Sequence, residues 1–232
     1  MKKTIALAMV LTLLAGPAAA DHSWGNYHWA RTANPVSLKV NMALTGNWPQ
    51  YVGPAVTQWD QSPALALVSP ATVSTNTKKC DPIAGQVLVC NALYGQRGWL
   101  GIASIWTNGD HITQATTKLN DTYFNTARYN THAWRAMVAC QEIGHDFGLG
   151  HVNETFTDPN TGSCMDYTND PSGTAGPTEP RPTPRPTSTT TISWRPSTAT
   201  PTGRPRRRAS PRPTSASGHR DGRSSSRFRA RA

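Results

Sequence analysis

The chain predicts an α+β fold carried by one domain over residues 21–170, and three observations point there. Several short segments alternate apolar and polar residues at the period of a half-buried strand. Two longer segments space their apolar residues at helical intervals. Beyond residue 170 the composition breaks to proline, threonine, serine and arginine, which cannot build a core. The elements follow in order. Pro35 to Leu44 reads as a strand, because Val36, Leu38 and Val40 alternate with polar residues. Tyr51 to Gln61 reads as a helix with Val52, Ala55, Val56 and Trp59 on one face. Leu65 to Val68 is a short apolar strand, and Gln86 to Ala92 is expected to pair with neighbouring sequence as a hairpin. Gly98 to Trp106, the turn Thr107-Asn108-Gly109-Asp110, and His111 to Leu119 read as strand, turn and strand. Thr131 to Phe147 is a helix with Trp134, Met137, Val138 and Ile143 as its core contacts. Element order alone is equally compatible with an α/β mix. The tryptophans at 24, 29, 48, 59, 99, 106 and 134, and His22, His28, His111 and His132, are read as packing residues.

Both ends differ from this body. Lys2 and Lys3, the apolar run Ile5 to Leu14 and Ala18-Ala19-Ala20 form a secretory signal of bacterial style over residues 1–20. That run is too short to span a membrane, so the protein is expected to be secreted, extracellular and monomeric, with no transmembrane segment. The net charge of +10 is unevenly distributed. Residues 171–232 hold 13 arginines against two acids, a net of +11, whereas residues 21–170 carry a net of −3. The tail, led by Arg204-Pro205-Arg206-Arg207-Arg208, is expected to be disordered, with weak binding to an anionic polymer, cell wall or nucleic acid as its possible role. Only Trp194 and Phe228 interleave its arginines, which argues against a specific single-strand binder.

The stretch Cys140-Gln141-Glu142-Ile143-Gly144-His145-Asp146-Phe147-Gly148-Leu149-Gly150-His151 carries the chemistry. On a helix, Gln141 and His145 lie one turn apart on one face and can grip one metal ion. Glu142 stands beside them, able to take a proton without being a ligand. Gly148 permits the turn that ends the helix, and His151 then returns as a third ligand. Three protein ligands and an open fourth position describe a catalytic zinc site.

With Cys164-Met165-Asp166-Tyr167 downstream, this pattern resembles the zinc signature of the metzincin metalloproteases, of matrixin-like type: HExxHxxGxxH followed by a methionine turn. The resemblance covers Val36 to Asp170 and departs at one ligand, where Gln141 replaces the first histidine. It implies a twisted mixed sheet, an active-site helix and a zinc cofactor (Zn2+) held by Gln141, His145 and His151. Glu142 would be the general base, Tyr167 a zinc or oxyanion partner, Gly148 the turn former and Met165 the apolar floor. It also implies a secreted endopeptidase that takes a peptide or protein substrate in extended conformation along the edge strand before the helix. The alternative, raised by Gln141, is a catalytically inactive binding protein on the same fold.

Four cysteines allow three pairings, and export permits disulfides. Cys80–Cys90 is expected to close a short hairpin around Asp81-Pro82 and Gly85, and Cys140–Cys164 to tie the active-site helix to the methionine turn. Buried thiols, or a cysteine acting as ligand or nucleophile, are the alternatives. Metzincins also carry a helix after the methionine turn, and none is visible here. An Arg/Pro/Thr/Ser-rich tail beginning at that point is what an out-of-frame reading of a GC-rich gene produces, which the nucleotide sequence would test.

Overall fold

A computed structural model describes residues 22–31, 33–173 and 223–231. The signal at 1–20 and most of the tail, residues 174–222, lie outside the described residues. The elements are β1 (His28–Trp29), β2 (Val36–Ala43), α1 (Pro49–Trp59), β3 (Leu65–Thr72), β4 (Gln86–Ala92), β5 (Trp99–Asn108), β6 (His111–Asn120), α2 (Asp121–Phe124), α3 (His132–Asp146) and β7 (Arg223–Arg231). They form an α+β fold around one mixed sheet, ordered β3-β2-β4-β6-β5-β7, with β1 pairing β6 off this path.

Most of the pairing is parallel: β2 with β3 and β4, β4 with β6, and β1 with β6. Only β5 runs antiparallel, to β6 on one side and β7 on the other. Parallel neighbours need crossovers, and α1 supplies the one between β2 and β3. The alternation read in β2 holds, since Val36, Leu38 and Val40 are buried while Ser37 and Lys39 are exposed. Pro49 opens α1, where its missing N–H costs nothing. The face read from sequence, Val52, Ala55, Val56 and Trp59, is buried, and such large side chains contribute roughly 1.5–3 kcal/mol each. Thr131 caps α3 through its side chain, accepting from the Trp134 N–H at 3.3 Å. Helices α1 and α3 pack on each other and on the same side of the sheet, enclosing the main core. A smaller cluster of Ala43, Cys80, Leu88 and Cys90 forms a second apolar centre.

Several expectations change. Gln86 to Ala92 is no hairpin arm; it is an interior strand, parallel to both neighbours, Met42 facing Val89 and Val89 facing Thr117. Its buried run Val87-Leu88-Val89-Cys90 suits a strand covered on both faces. Cys80 and Cys90 are bridged as expected, but the bridge pins a loop to β4 and closes no hairpin. The strand begun at Leu65 continues to Thr72. Trp134 is only half-buried, against the edge of the core. The tail was expected to be disordered throughout, yet Arg223–Arg231 is a strand. Its physical basis is the outer edge of β5, whose backbone donors and acceptors need partners.

Candidate active site

Helix α3 is buried along nearly its whole second half, from Met137 to Asp146, so its polar residues are held inside the protein. Gln141 is 2 % exposed, and Glu142 and His145 are fully buried. Three tryptophans fix the surroundings. Trp59 donates to the Cys140 carbonyl at 3.0 Å, and Trp29 donates to the Asp146 carbonyl at 2.9 Å. The Trp24 ring meets the His145 ring edge-on at 6.3 Å.

The helix ends as its sequence requires. Gly148 has φ of 89°, and a side chain there would run into the Tyr27 carbonyl. The segment before β1 clasps this turn: the Trp24 N–H donates to Gly148 at 2.8 Å, and the Gly150 N–H donates to His22 at 2.6 Å. The chain then returns, and the His151 side chain, 3 % exposed, reaches the helix.

His145 Nε2 and His151 Nε2 come to 3.1 Å of one another. His145 Nδ1 lies 2.7 Å from the Leu149 carbonyl, an acceptor only, so Nδ1 carries the proton and Nε2 keeps its lone pair. His151 Nδ1 lies 3.0 Å from Glu154 Oε1, which selects the same tautomer. Glu154 is itself 71 % exposed, so it orients the ring more than it stabilises the fold. Burial first, then the neighbouring His151, lowers the His145 pKa to about 3. Burial also lowers that of His151, against the opposing pull of Glu154 and Asp166. Both rings are therefore neutral, with lone pairs converging on one small volume.

The methionine segment packs directly beneath. Met165 is fully buried, and a Cβ on Gly144 would strike its sulfur and stand 2.6 Å from Trp59 Cζ2. Cys140 and Cys164 are bridged, joining helix to turn as expected. Gln141 makes a second tie, its Nε2 donating to the Asp166 carbonyl at 2.8 Å. That contact commits the amide nitrogen and leaves Oε1 as the atom able to face a cation. The Tyr167 ring lies 5.1 Å from the His151 ring, tilted 32°. A cavity beside Gln141 and Tyr167 is lined by Trp134, Met137, Val138, Phe156 and Thr168.

The structure therefore brings Gln141, Glu142, His145, Gly148, His151, Met165 and Tyr167 into one region, with Cys140–Cys164 as its brace; Cys80–Cys90 lies elsewhere. Among the described residues no three His, Cys, Asp or Glu side chains converge as a metal cage. The two imidazoles do fit a cation such as zinc. Their 3.1 Å separation is close to the ~3.3 Å expected of nitrogens that each sit about 2.0–2.1 Å from a tetrahedral ion. Gln141 and Tyr167 are the residues the sequence offers as a third donor.

Some participants were missed in the sequence. Gly101 of β5 lies so close to α3 that a Cβ there would stand 2.6 Å from Glu142 Cγ. Asp146 is fully buried and accepts from the Thr117 hydroxyl at 2.7 Å, and burial raises its pKa well above the carboxylate range. The Glu154 contact had a signal in the His151–Glu154 spacing of three; the Gly101 and Thr117 contacts had none. No protein-family model, curated protein or solved structure matches the chain.

Proposed function

We propose that this protein is a secreted zinc-dependent metalloendopeptidase of the metzincin kind, hydrolysing peptide bonds within extended substrates. The observation that carries the reading is the pair of Nε2 lone pairs from His145 and His151, 3.1 Å apart, with both Nδ1 atoms already committed. Neutral imidazoles in that arrangement call for a cation between them, and a buried glutamate stands on the same helix. His145 and His151 would hold the ion, with Gln141 Oε1 or the Tyr167 hydroxyl completing the set. When bound, zinc lowers the pKa of a coordinated water to about 7 and polarises a substrate carbonyl.

The chain's own residues do the rest. Glu142 receives the proton of the attacking water and returns it to the leaving amine. The missing side chain of Gly101 is what lets Glu142 lie close against β5. Trp24, Trp29 and Trp59 pack apolar surface against the helix at His145, Asp146 and Cys140. A substrate peptide would lie along the outer edge of β5, in the place that β7 takes in this structure. The two disulfides fit an oxidising compartment, and among the described residues no helix is long and apolar enough to cross a membrane.

One observation favours a second reading, a non-catalytic peptide-binding protein: the Gln141 amide is already engaged by Asp166, and an amide oxygen is a weaker zinc donor than imidazole. Elemental analysis of the purified protein, without chelators, separates the two. About one zinc per chain, with peptide hydrolysis that Glu142→Ala abolishes, is expected. No metal after zinc is added, or equal turnover in Glu142→Ala, would overturn the hydrolytic reading.

A further inference from the structure

The short strand β1 brings together two histidines that the candidate site does not use. His28 on β1 and His111 at the start of β6 are register partners in a parallel pairing, which puts both on one face of the sheet. Their rings stand 4.7 Å apart between centroids and at 87° to one another. His28 Nδ1 lies 2.7 Å from the Asn26 carbonyl, an acceptor only, so Nδ1 carries the proton and the lone pair is on Nε2. His111 Nδ1 is buried, and among the described residues it has no hydrogen-bond partner. We propose that His28 and His111 form a metal site of their own, separate from His145 and His151, which holds a late first-row divalent cation and pins β1 to the sheet. This site does not depend on the hydrolytic function proposed above.

Three features fit such an ion. An imidazole nitrogen binds these metals at about 2.0–2.1 Å, which puts each ring centroid about 3.2 Å from the ion. Two rings so held lie about 4.5 Å apart when their bonds meet at a right angle and about 5.2 Å apart at the tetrahedral angle. The observed 4.7 Å falls inside that range, and the His145–His151 pair, whose Nε2 atoms converge, has the same separation. Second, the bond from His28 to Asn26 is the arrangement that orients a ligating imidazole, one nitrogen held by a carbonyl while the other keeps its lone pair. Third, a buried imidazole nitrogen without a partner is costly, and a cation would use it. No third His, Cys, Asp or Glu side chain joins the pair among the described residues, so water completes the coordination. Imidazole as the protein donor selects copper, nickel and zinc over calcium and magnesium, with copper held most tightly. β1 is two residues long, and its neighbours reach the candidate site. The Tyr27 carbonyl abuts Gly148, and the Trp29 indole donates to the Asp146 carbonyl at 2.9 Å. A cation tying His28 to β6 therefore braces the turn that presents His151.

The test uses the full chain, His28→Gln and His111→Gln, with His132→Gln, at an exposed histidine on α3, as the control. Titration with Cu2+ followed by electron paramagnetic resonance reads the equivalents bound and their nitrogen ligands. Hydrogen exchange of the Trp24 and Gly150 amides, which clasp the turn, reads the brace. One equivalent present in the full chain and in the control should be lost in each of the two variants. Where that equivalent binds, exchange at both amides should slow at least about tenfold. A check without substitutions is chemical: in the full chain, Cu2+ should shield both His28 and His111 from ethoxyformylation by diethyl pyrocarbonate. Equal equivalents in all forms, loss in one of the two variants alone, unchanged exchange on binding, or unshielded labelling of either histidine would overturn the proposal. An equivalent lost with both histidines, in a protein that hydrolyses no peptide, would uphold this site and count against the hydrolytic function alone.

Discussion

Replacing Gly101 by alanine probes how tightly β5 holds Glu142. The added methyl would stand 2.6 Å from Glu142 Cγ, 2.7 Å from Val138 Cγ1 and 2.8 Å from Glu142 Oε1. Comfortable carbon contacts begin near 3.5 Å, so about 0.8–0.9 Å must be found at two atoms at once. Val138 is β-branched and almost fully buried, so it yields little, and Glu142 Cγ is close to the backbone. Overpacking of this kind costs typically 1–3 kcal/mol. Against it stands the gain of roughly 0.4–1 kcal/mol from replacing glycine where the backbone permits alanine. Packing wins by about 1–2 kcal/mol, a fall in Tm of roughly 2–8 °C for a body of this size. The displaced carboxylate should also lower kcat/KM by about 10–100-fold, since misplacement of a reacting group by about 1 Å is costly. Thermal unfolding and peptide hydrolysis would be measured together, with zinc content as the control. A Tm that stays put or rises would refute the close approach; a lowered Tm with full kcat/KM would remove Glu142 from the mechanism.

Acid should destabilise the metal-free protein through His145. Its folded pKa of about 3 lies below the unfolded ~6.5, so the unfolded state binds the proton first and stability falls as pH drops through that window. His145 alone should cost about 2 kcal/mol between pH 7 and pH 5, read in the Asp146→Asn background as a lower urea midpoint at constant m-value. Asp146 works in the opposite sense: its raised pKa favours the folded state at low pH and costs stability as pH rises above the unfolded ~3.8. Asp146→Asn, a neutral isostere, should therefore flatten the loss on the alkaline side, checked by unfolding at pH 6 and pH 8. Removing Cys140–Cys164 by paired serines should cost about 3.5 kcal/mol for a separation of 24 residues, against about 2.7 kcal/mol for Cys80–Cys90 at 10. Denaturant titration of the two variants would show the order. Gln141→His should bind zinc at least about tenfold more tightly, because imidazole replaces a neutral amide oxygen; competition with a chromophoric chelator measures it.

How much of this was legible depended on how local the signal was. Val36, Leu38 and Val40 declare a strand within five residues, and Val52 to Trp59 declare a helix face within two turns. The spacing of Gln141, Glu142, His145, Gly148 and His151 is also local, so their convergence was readable before any fold was known. β4 was misread because nothing in Gln86 to Ala92 states which strands flank it; parallel pairing joins distant segments and leaves no turn signature. β7 was misread because arginine and serine mask a strand whose cause lies on β5, some 120 residues earlier. The tie from Gln141 to Asp166 was invisible for the same reason, and it makes that glutamine a brace between the helix and the segment after Met165.

The clasp between the first described residues and the turn at Gly148 has a consequence for the order of assembly. Trp24 and His22 reach carbonyl and amide groups more than 120 residues away, so this contact spans almost the whole body. Contacts of such separation form late, after the loops between them have been closed. The turn that presents His151 is therefore finished only when the earliest part of the body meets the latest. Until its two ends have met, the body holds the pieces of its cleft apart, and whatever chemistry the cleft performs begins only once the whole body has assembled.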